Sequence, residues 1–165
     1  MKVLTYCLLI LSALAVHAQE NITTFILIRH AEKDLTQSTN DPDLSEEGKV
    51  RANRLAQLLA ETEVSAIYST PYKRTRQTVA VLAANKNLAI TDYTANNEDE
   101  LHRMLANHSG GTIVISGHSN TIPWMANKLI GMEKYRPLED GDYDNIWVVN
   151  VIGIGKSAKL VWLNY

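Results

Sequence analysis

Two histidines stand directly after apolar runs that read as buried strands: His30 closes FILIRH and His118 closes TIVISGH. In an open parallel sheet the ligand crevice lies outside the carboxyl ends of the strands, so neighbouring strands would bring both imidazoles into one crevice. Arg29 precedes His30, and the segment YSTPYKRTRQT, residues 68–78, carries more cations to the same edge. Within it Lys73 and Arg76 are expected on the surface. Arg74, one turn into a helix that follows a strand, can point back toward the crevice. Two guanidiniums and two imidazoles around one pocket make a site for a tetrahedral oxyanion, because arginine offers planar donors matched to phosphate oxygens. Helix N-termini near Tyr72 and Ser119 would add backbone N–H groups.

The elements that must position these residues follow from patterning. Thr23–Arg29 (TTFILIR) is too densely apolar for a half-exposed strand and reads as a central one. Ser45, followed by Glu46 and Glu47, is an N-cap with acidic residues in the first turn, and a helix to about Glu61 is predicted. Its apolar face is Ala52, Leu55, Ala56, Leu58 and Leu59, with Arg51, Arg54 and Gln57 facing out. Further strands are predicted at 64–69, 88–93 and 112–116, and helices at 72–84, 96–107 and 119–130. Pro123 sits in the first turn of the last helix, where a missing N–H costs nothing, and Gly131 stops it. Residues 146–154 and 159–163 read as a closing hairpin through Gly155 and Lys156. Strands alternating with helices predict an α/β layer structure with a mostly parallel central sheet.

Composition limits the rest. The 165 residues, 45% hydrophobic and 21% charged, suffice for one domain with its own core. A net charge of -2 gives no sequence-wide case for binding nucleic acid or an anionic membrane surface. Residues 1–18 combine Lys2, an apolar run from Val3 to Val16, and small residues before Gln19, the pattern of an export signal cleaved after Ala18. The run is short of the roughly 20 residues that span a bilayer. The expectation is therefore a secreted or periplasmic domain at 19–165, without stable membrane insertion after signal removal. Cys7, the one cysteine, would leave with the signal.

LIRHAEK, YSTPYKRTRQT and VISGHSN, in this order and at strand ends, resemble the histidine phosphatase superfamily, and the resemblance covers essentially the whole mature chain. It implies a phosphoglycerate mutase-like fold, a three-layer α/β/α sandwich most similar to the small phosphohistidine phosphatases, with no metal and no cofactor in the active site. Residue by residue, it puts the nucleophilic histidine on His30, its adjacent phosphate-binding arginine on Arg29, the second arginine on Arg74 and the second histidine on His118. The implied activity is hydrolysis of phosphomonoesters or phosphoramidates, on a small molecule or a protein, through a phosphohistidine. His30 must then be neutral on its attacking nitrogen, its other nitrogen donating to a carbonyl or carboxylate. His118 would serve best protonated, as a third cation. Ser119 and Asn120 are further phosphate-binding candidates, although capping of the following helix explains them equally well, and Glu32 could line the pocket mouth.

Two departures from the family pattern stand out. Ala31 occupies the place of the family's usual glycine. The acid that protonates the leaving group in many members has no clear counterpart: Glu98, Asp99 and Glu100 read first as an acidic helix start, and Asp140, Asp142 and Asp144 in the late loop are the other possibility. A phosphate-binding or interaction module without turnover is the alternative reading. A metallohydrolase is a weaker rival, since there is no His-x-x-x-His element and adjacent arginines would repel a divalent cation. Loop 33–44 is the expected specificity rim. Oligomeric state is not encoded in any feature of the sequence.

Overall fold

The computed structural model describes residues 21–156 and 158–165; the expected export segment lies outside them. The elements run β1 (Thr23–Arg29), α1 (Glu46–Leu58), β2 (Ala66–Ser69), α2 (Lys73–Lys86), β3 (Ile90–Asp92), α3 (Glu98–Asn107), β4 (Thr112–Gly117), α4 (Thr121–Ile130), β5 (Asn145–Val151) and β6 (Lys159–Asn164). They build one six-stranded sheet in the order β3-β2-β4-β1-β5-β6. The first four strands in that order are mutually parallel, and β5 and β6 add an antiparallel edge. This is the mostly parallel α/β sheet that alternating strands and helices imply. No helix among the described residues is long and apolar enough to cross a membrane.

The three layers follow from the two-residue period of a strand. Phe25, Leu27, Ile113, Ile115, Trp147 and Val149 face one side and pack against α3 and α4 through Leu101, Met104, Ile122, Met125 and Leu129. Ile26, Ile28, Ile67, Val114 and Ile146 face the other side and meet α1 and α2 through Leu55, Ala56, Val79 and Leu82. Each of these large side chains, fully withdrawn from water, contributes about 1.5–3 kcal/mol. A strand buried on both faces cannot show alternating polarity, which is why the Phe25–Ile28 run at the centre of β1 is apolar throughout.

Local signals set most boundaries. Ser45 caps α1, its hydroxyl accepting from the Gly48 N–H at 3.1 Å. Gly131 ends α4 in the left-handed region at φ 71°, packed so closely on Gly155 that an added Cβ would lie 2.8 Å from that residue's carbonyl oxygen. Several boundaries differ from the pattern by one to three residues, and two of the differences have a local cause. Helix α4 begins at Thr121, not Ser119, because Thr121 Oγ1 accepts the His118 N–H at 2.8 Å and leaves Ser119 and Asn120 in a turn. Strand β5 ends at Val151, not 154, since the chain then bends into a Gly153–Lys156 bridge.

Arg51 is a correction. The helical pattern puts it outward, but its guanidinium folds over the loop after β1, donating to both Glu32 carboxylate oxygens at 2.6–3.0 Å and to the Tyr165 carbonyl at 3.0 Å. The pair is only 18% and 13% exposed, so it ties α1, the loop after β1 and the end of β6 together in a sheltered environment.

Candidate active site

Strands β1 and β4 are parallel neighbours with Arg29 opposite Gly117, so the residues that follow them, His30 and His118, emerge side by side at the carboxyl edge. Their rings stand 5.4 Å apart, edge to face. They form the floor of a cleft of about 940 Å³ whose walls include Arg29, Lys33, Leu35, Thr70, Tyr72, Arg74, Tyr93, Ser119, Asn120, Asp140 and Tyr143. All of the sequence-derived site residues but one therefore converge. Glu32 does not: its carboxylate turns away to Arg51, since a sheltered bidentate partner offers more than a place beside an anion site.

His30 is 6% exposed. Its Nδ1 lies 2.8 Å from the Ala31 carbonyl, which accepts but cannot donate, so the proton is on Nδ1 and the Nε2 lone pair is free. The Ala31 peptide is held in turn by Thr78, whose hydroxyl accepts the Ala31 N–H at 2.9 Å and donates to the Arg74 carbonyl at 2.7 Å. One side chain thus links the loop after β1 to the turn of α2 that carries Arg74.

His118 is oriented by Thr70. The Thr75 hydroxyl points at the carbonyls of Thr70 and Tyr72, and the Thr70 hydroxyl donates to Thr75 Oγ1 at 3.0 Å. Thr70 Oγ1, 2.9 Å from His118 Nε2, is therefore left to accept a proton from that nitrogen. The motif reading did not single out Thr70. Its signal was the one that found the histidines: Thr70 is the first residue beyond the end of a parallel strand, β2.

Arg29 is 4% exposed and held mostly by backbone. Its Nη1 donates to the carbonyls of Glu139 at 2.6 Å and Asp142 at 3.0 Å, its Nη2 to that of Asp140 at 3.1 Å, and Tyr143 covers its face at 4.2 Å. Its Nε–H is buried without a partner, and one Nη2 proton is uncommitted. Two free donors on one guanidinium are what a bidentate grip on an oxyanion requires. Arg74 stacks on Tyr72 at 4.4 Å and keeps a loose 3.5 Å contact with Asp41. Lys73 and Arg76, as expected, pair on the surface with Asp43 and Asp92.

Charge in the cleft is polarised accordingly. Burial, reinforced by His118, Arg74 and Arg29 against the opposing pull of the Ala31 carbonyl, lowers the His30 pKa to about 3. Burial, with Arg74 and Arg29, lowers that of His118 to about 4. The second histidine is thus neutral, which corrects the expectation of a third resident cation: burial and two guanidiniums make a further positive charge costly there. A stability consequence follows. Both folded-state values lie below the ordinary 6.5, so below that pH the unfolded chain binds more protons. Stability is full above about pH 6.5 and is lost as pH falls toward 3, with His30 alone costing about 2 kcal/mol at pH 5. Urea midpoints measured from pH 7 to pH 4 should fall accordingly, and less steeply in His30→Asn.

The acidic residues sort by position. Glu98 pairs with Lys128 at 3.5 Å, Glu100 pairs with Arg103, and together with Asp99 they form the first turn of α3, outside the cleft walls. Asp142 and Asp144 also lie outside those walls, whereas Asp140 is part of them. Among the described residues no group of three or more His, Cys, Asp or Glu is placed to hold a metal ion. From the expected rim loop, Lys33 and Leu35 reach the cleft.

Residues 25–98 match the family described as histidine phosphatase superfamily (branch 1). Phosphoserine phosphatase 1 of Hydrogenobacter thermophilus is 46% identical over 70 residues, which are 39% of this chain and 33% of that protein, so the chain spans about a third of the length of this relative. The fold is similar to that of a mycobacterial glucosyl-3-phosphoglycerate phosphatase, with a TM-score of 0.71 at 13% identity over 88% of this chain and 99% of that one. It is similar also to a phosphoserine phosphatase of Entamoeba histolytica, with a TM-score of 0.63 at 19% identity over 84% and 95%.

Proposed function

We propose that the chain is a member of the histidine phosphatase superfamily, on its match over residues 25–98 and its 46% identity over 70 residues to a phosphoserine phosphatase, and that it is an exported, metal-independent phosphatase that hydrolyses phosphomonoesters or phosphoramidates through a phosphohistidine on His30. The observation that carries the reading is the state of His30: a buried, neutral imidazole with Nδ1 committed to the Ala31 carbonyl, its Nε2 lone pair free, beside the unpartnered Nε–H of Arg29. Nε2 attacks phosphorus in line, the bond to the leaving group breaks, and the phosphoryl group is carried by nitrogen until water displaces it. Arg29 and Arg74 hold the equatorial oxygens while charge redistributes over them. His118, whose one proton as a neutral ring is committed to Thr70, becomes a donor when it takes up a second proton, once a phosphate dianion offsets the two guanidiniums.

Export rests on residues 1–18 and their signal-like pattern. The H. thermophilus relative makes phosphoserine the first alkyl phosphate to try. The absence of an α3 carboxylate from the cleft favours the second reading, a phosphate-binding module without turnover. Purified protein should release phosphate from phenyl phosphate and from phosphoserine, equally well with and without a chelator. Binding of inorganic phosphate without turnover of either ester would leave the binding module; activity abolished by the chelator would overturn metal independence.

A further inference from the structure

A phosphatase that cleaves alkyl phosphates must protonate a poor leaving group, and one acidic residue lines the cleft. We infer that Asp140 is the general acid of the reaction proposed above, on which this assignment rests. Among the described residues Asp140 is the one acidic residue that lines the cleft, and it makes no ion pair. Other carboxylates near the phosphate-binding edge are committed elsewhere: Glu32 to Arg51, and Asp41 to Arg74 and the Lys73 N–H.

Its position is set by the phosphate site itself. The Asp140 carbonyl accepts from Arg29 Nη2 at 3.1 Å, and the carbonyls on either side, of Glu139 and Asp142, accept from Nη1. The Asp142 N–H closes a turn onto the Glu139 carbonyl at 3.1 Å, and Tyr143 lies over the guanidinium. Asp140 therefore rides on a turn anchored to the arginine whose buried Nε–H has no partner. An acid must sit within hydrogen-bond reach of the departing oxygen, and a turn tied to the phosphate-binding arginine holds the Asp140 backbone beside that site.

The step balances as follows. The His30 Nε2 lone pair forms the N–P bond, the P–O bond to the leaving group breaks, and the Asp140 carboxyl proton passes to that oxygen, giving an alcohol, a phosphohistidine and a carboxylate. Water then attacks phosphorus and gives one proton to the Asp140 carboxylate; the P–N bond breaks with its electron pair returning to Nε2, leaving inorganic phosphate and the acid restored.

The test is the dependence on leaving group. Dinitrophenyl phosphate expels a stable phenolate and needs no proton, whereas phosphoserine needs one. In single-turnover experiments Asp140→Asn should form phosphohistidine from dinitrophenyl phosphate within about threefold of the wild-type rate, and from phosphoserine about 10²–10⁴-fold more slowly. The unimpaired phenolate burst certifies that the variant is folded. Equal losses on both substrates would mark Asp140 as a support for Arg29 and overturn the assignment, as would an unchanged phosphoserine rate. A wild-type protein that binds phosphate yet gives no burst would instead refute the phosphatase reading, and the assignment with it.

Discussion

Replacing His30 with alanine should abolish the phosphoryl adduct and lower turnover by about 10³–10⁶-fold, the range seen when a nucleophile is deleted from a site whose other members act with it. Intact-mass measurement during turnover of an aryl phosphate reads the adduct directly, as an acid-labile addition on wild type that is missing from the variant. Both histidines have a free ring nitrogen, Nε2 of His30 and Nδ1 of His118, so the experiment needs both alanine variants. His118→Ala should be slow but should still accumulate the adduct, because His30 retains its Ala31 anchor and both arginines. Inorganic phosphate should bind His30→Ala within a few fold of wild type, since the guanidinium donors remain. An adduct that survives in His30→Ala and disappears in His118→Ala would reverse the assignment of nucleophile.

Gly48→Ala should produce the other large effect, from a residue outside the cleft. An added Cβ at this position in the first turn of α1 would lie 2.2 Å from the Glu32 carbonyl oxygen and 3.1 Å from that residue's carbon and nitrogen. Those are backbone atoms and have no rotamer with which to escape. The same carbonyl accepts the Ser45 N–H at 2.9 Å, and the Glu32 side chain is clamped by Arg51, so the loop after β1 is held from two directions. Relief requires moving the 31–33 backbone, and with it the Ala31 carbonyl that fixes His30. Overpacking of this kind costs about 1–3 kcal/mol or more, and an ångström of misplacement at a reacting group can cost about 10²-fold in rate. Thermal or urea unfolding together with turnover should show both losses in Gly48→Ala. Gly153→Ala, whose Cβ would meet only Lys156 side-chain atoms at 3.8 Å, should show neither.

Ala31 illustrates how a departure from a family pattern is accommodated. The residue is fully buried, in a small cluster with Leu44 and Ala52, and is not among the non-glycine residues with positive φ. Its methyl group has apolar neighbours and its backbone needs no glycine.

Much of this protein was legible in the chain itself. Strands buried on both faces must be apolar throughout, and a polar residue at the end of such a run has nowhere to point but the sheet's edge. That is enough to bring Arg29, His30 and His118 together once β1 and β4 are neighbours. Caps are equally local: Ser45 and Gly131 act within a few residues of themselves. The tertiary structure alone decided how those groups are held and charged. Arg29 meets the Glu139 carbonyl 110 positions away, Thr70 meets His118 at 48, and Arg51 takes Glu32 out of the cleft at 19. None of these partners leaves a periodic or compositional trace: a backbone carbonyl accepts whatever its side chain is, and the two side-chain pairs meet only because the fold brings distant positions together. The two histidines are neutral for the same reason: their charge is set by burial and by cations from other elements, quantities that exist only once the sheet and its loops have closed around them.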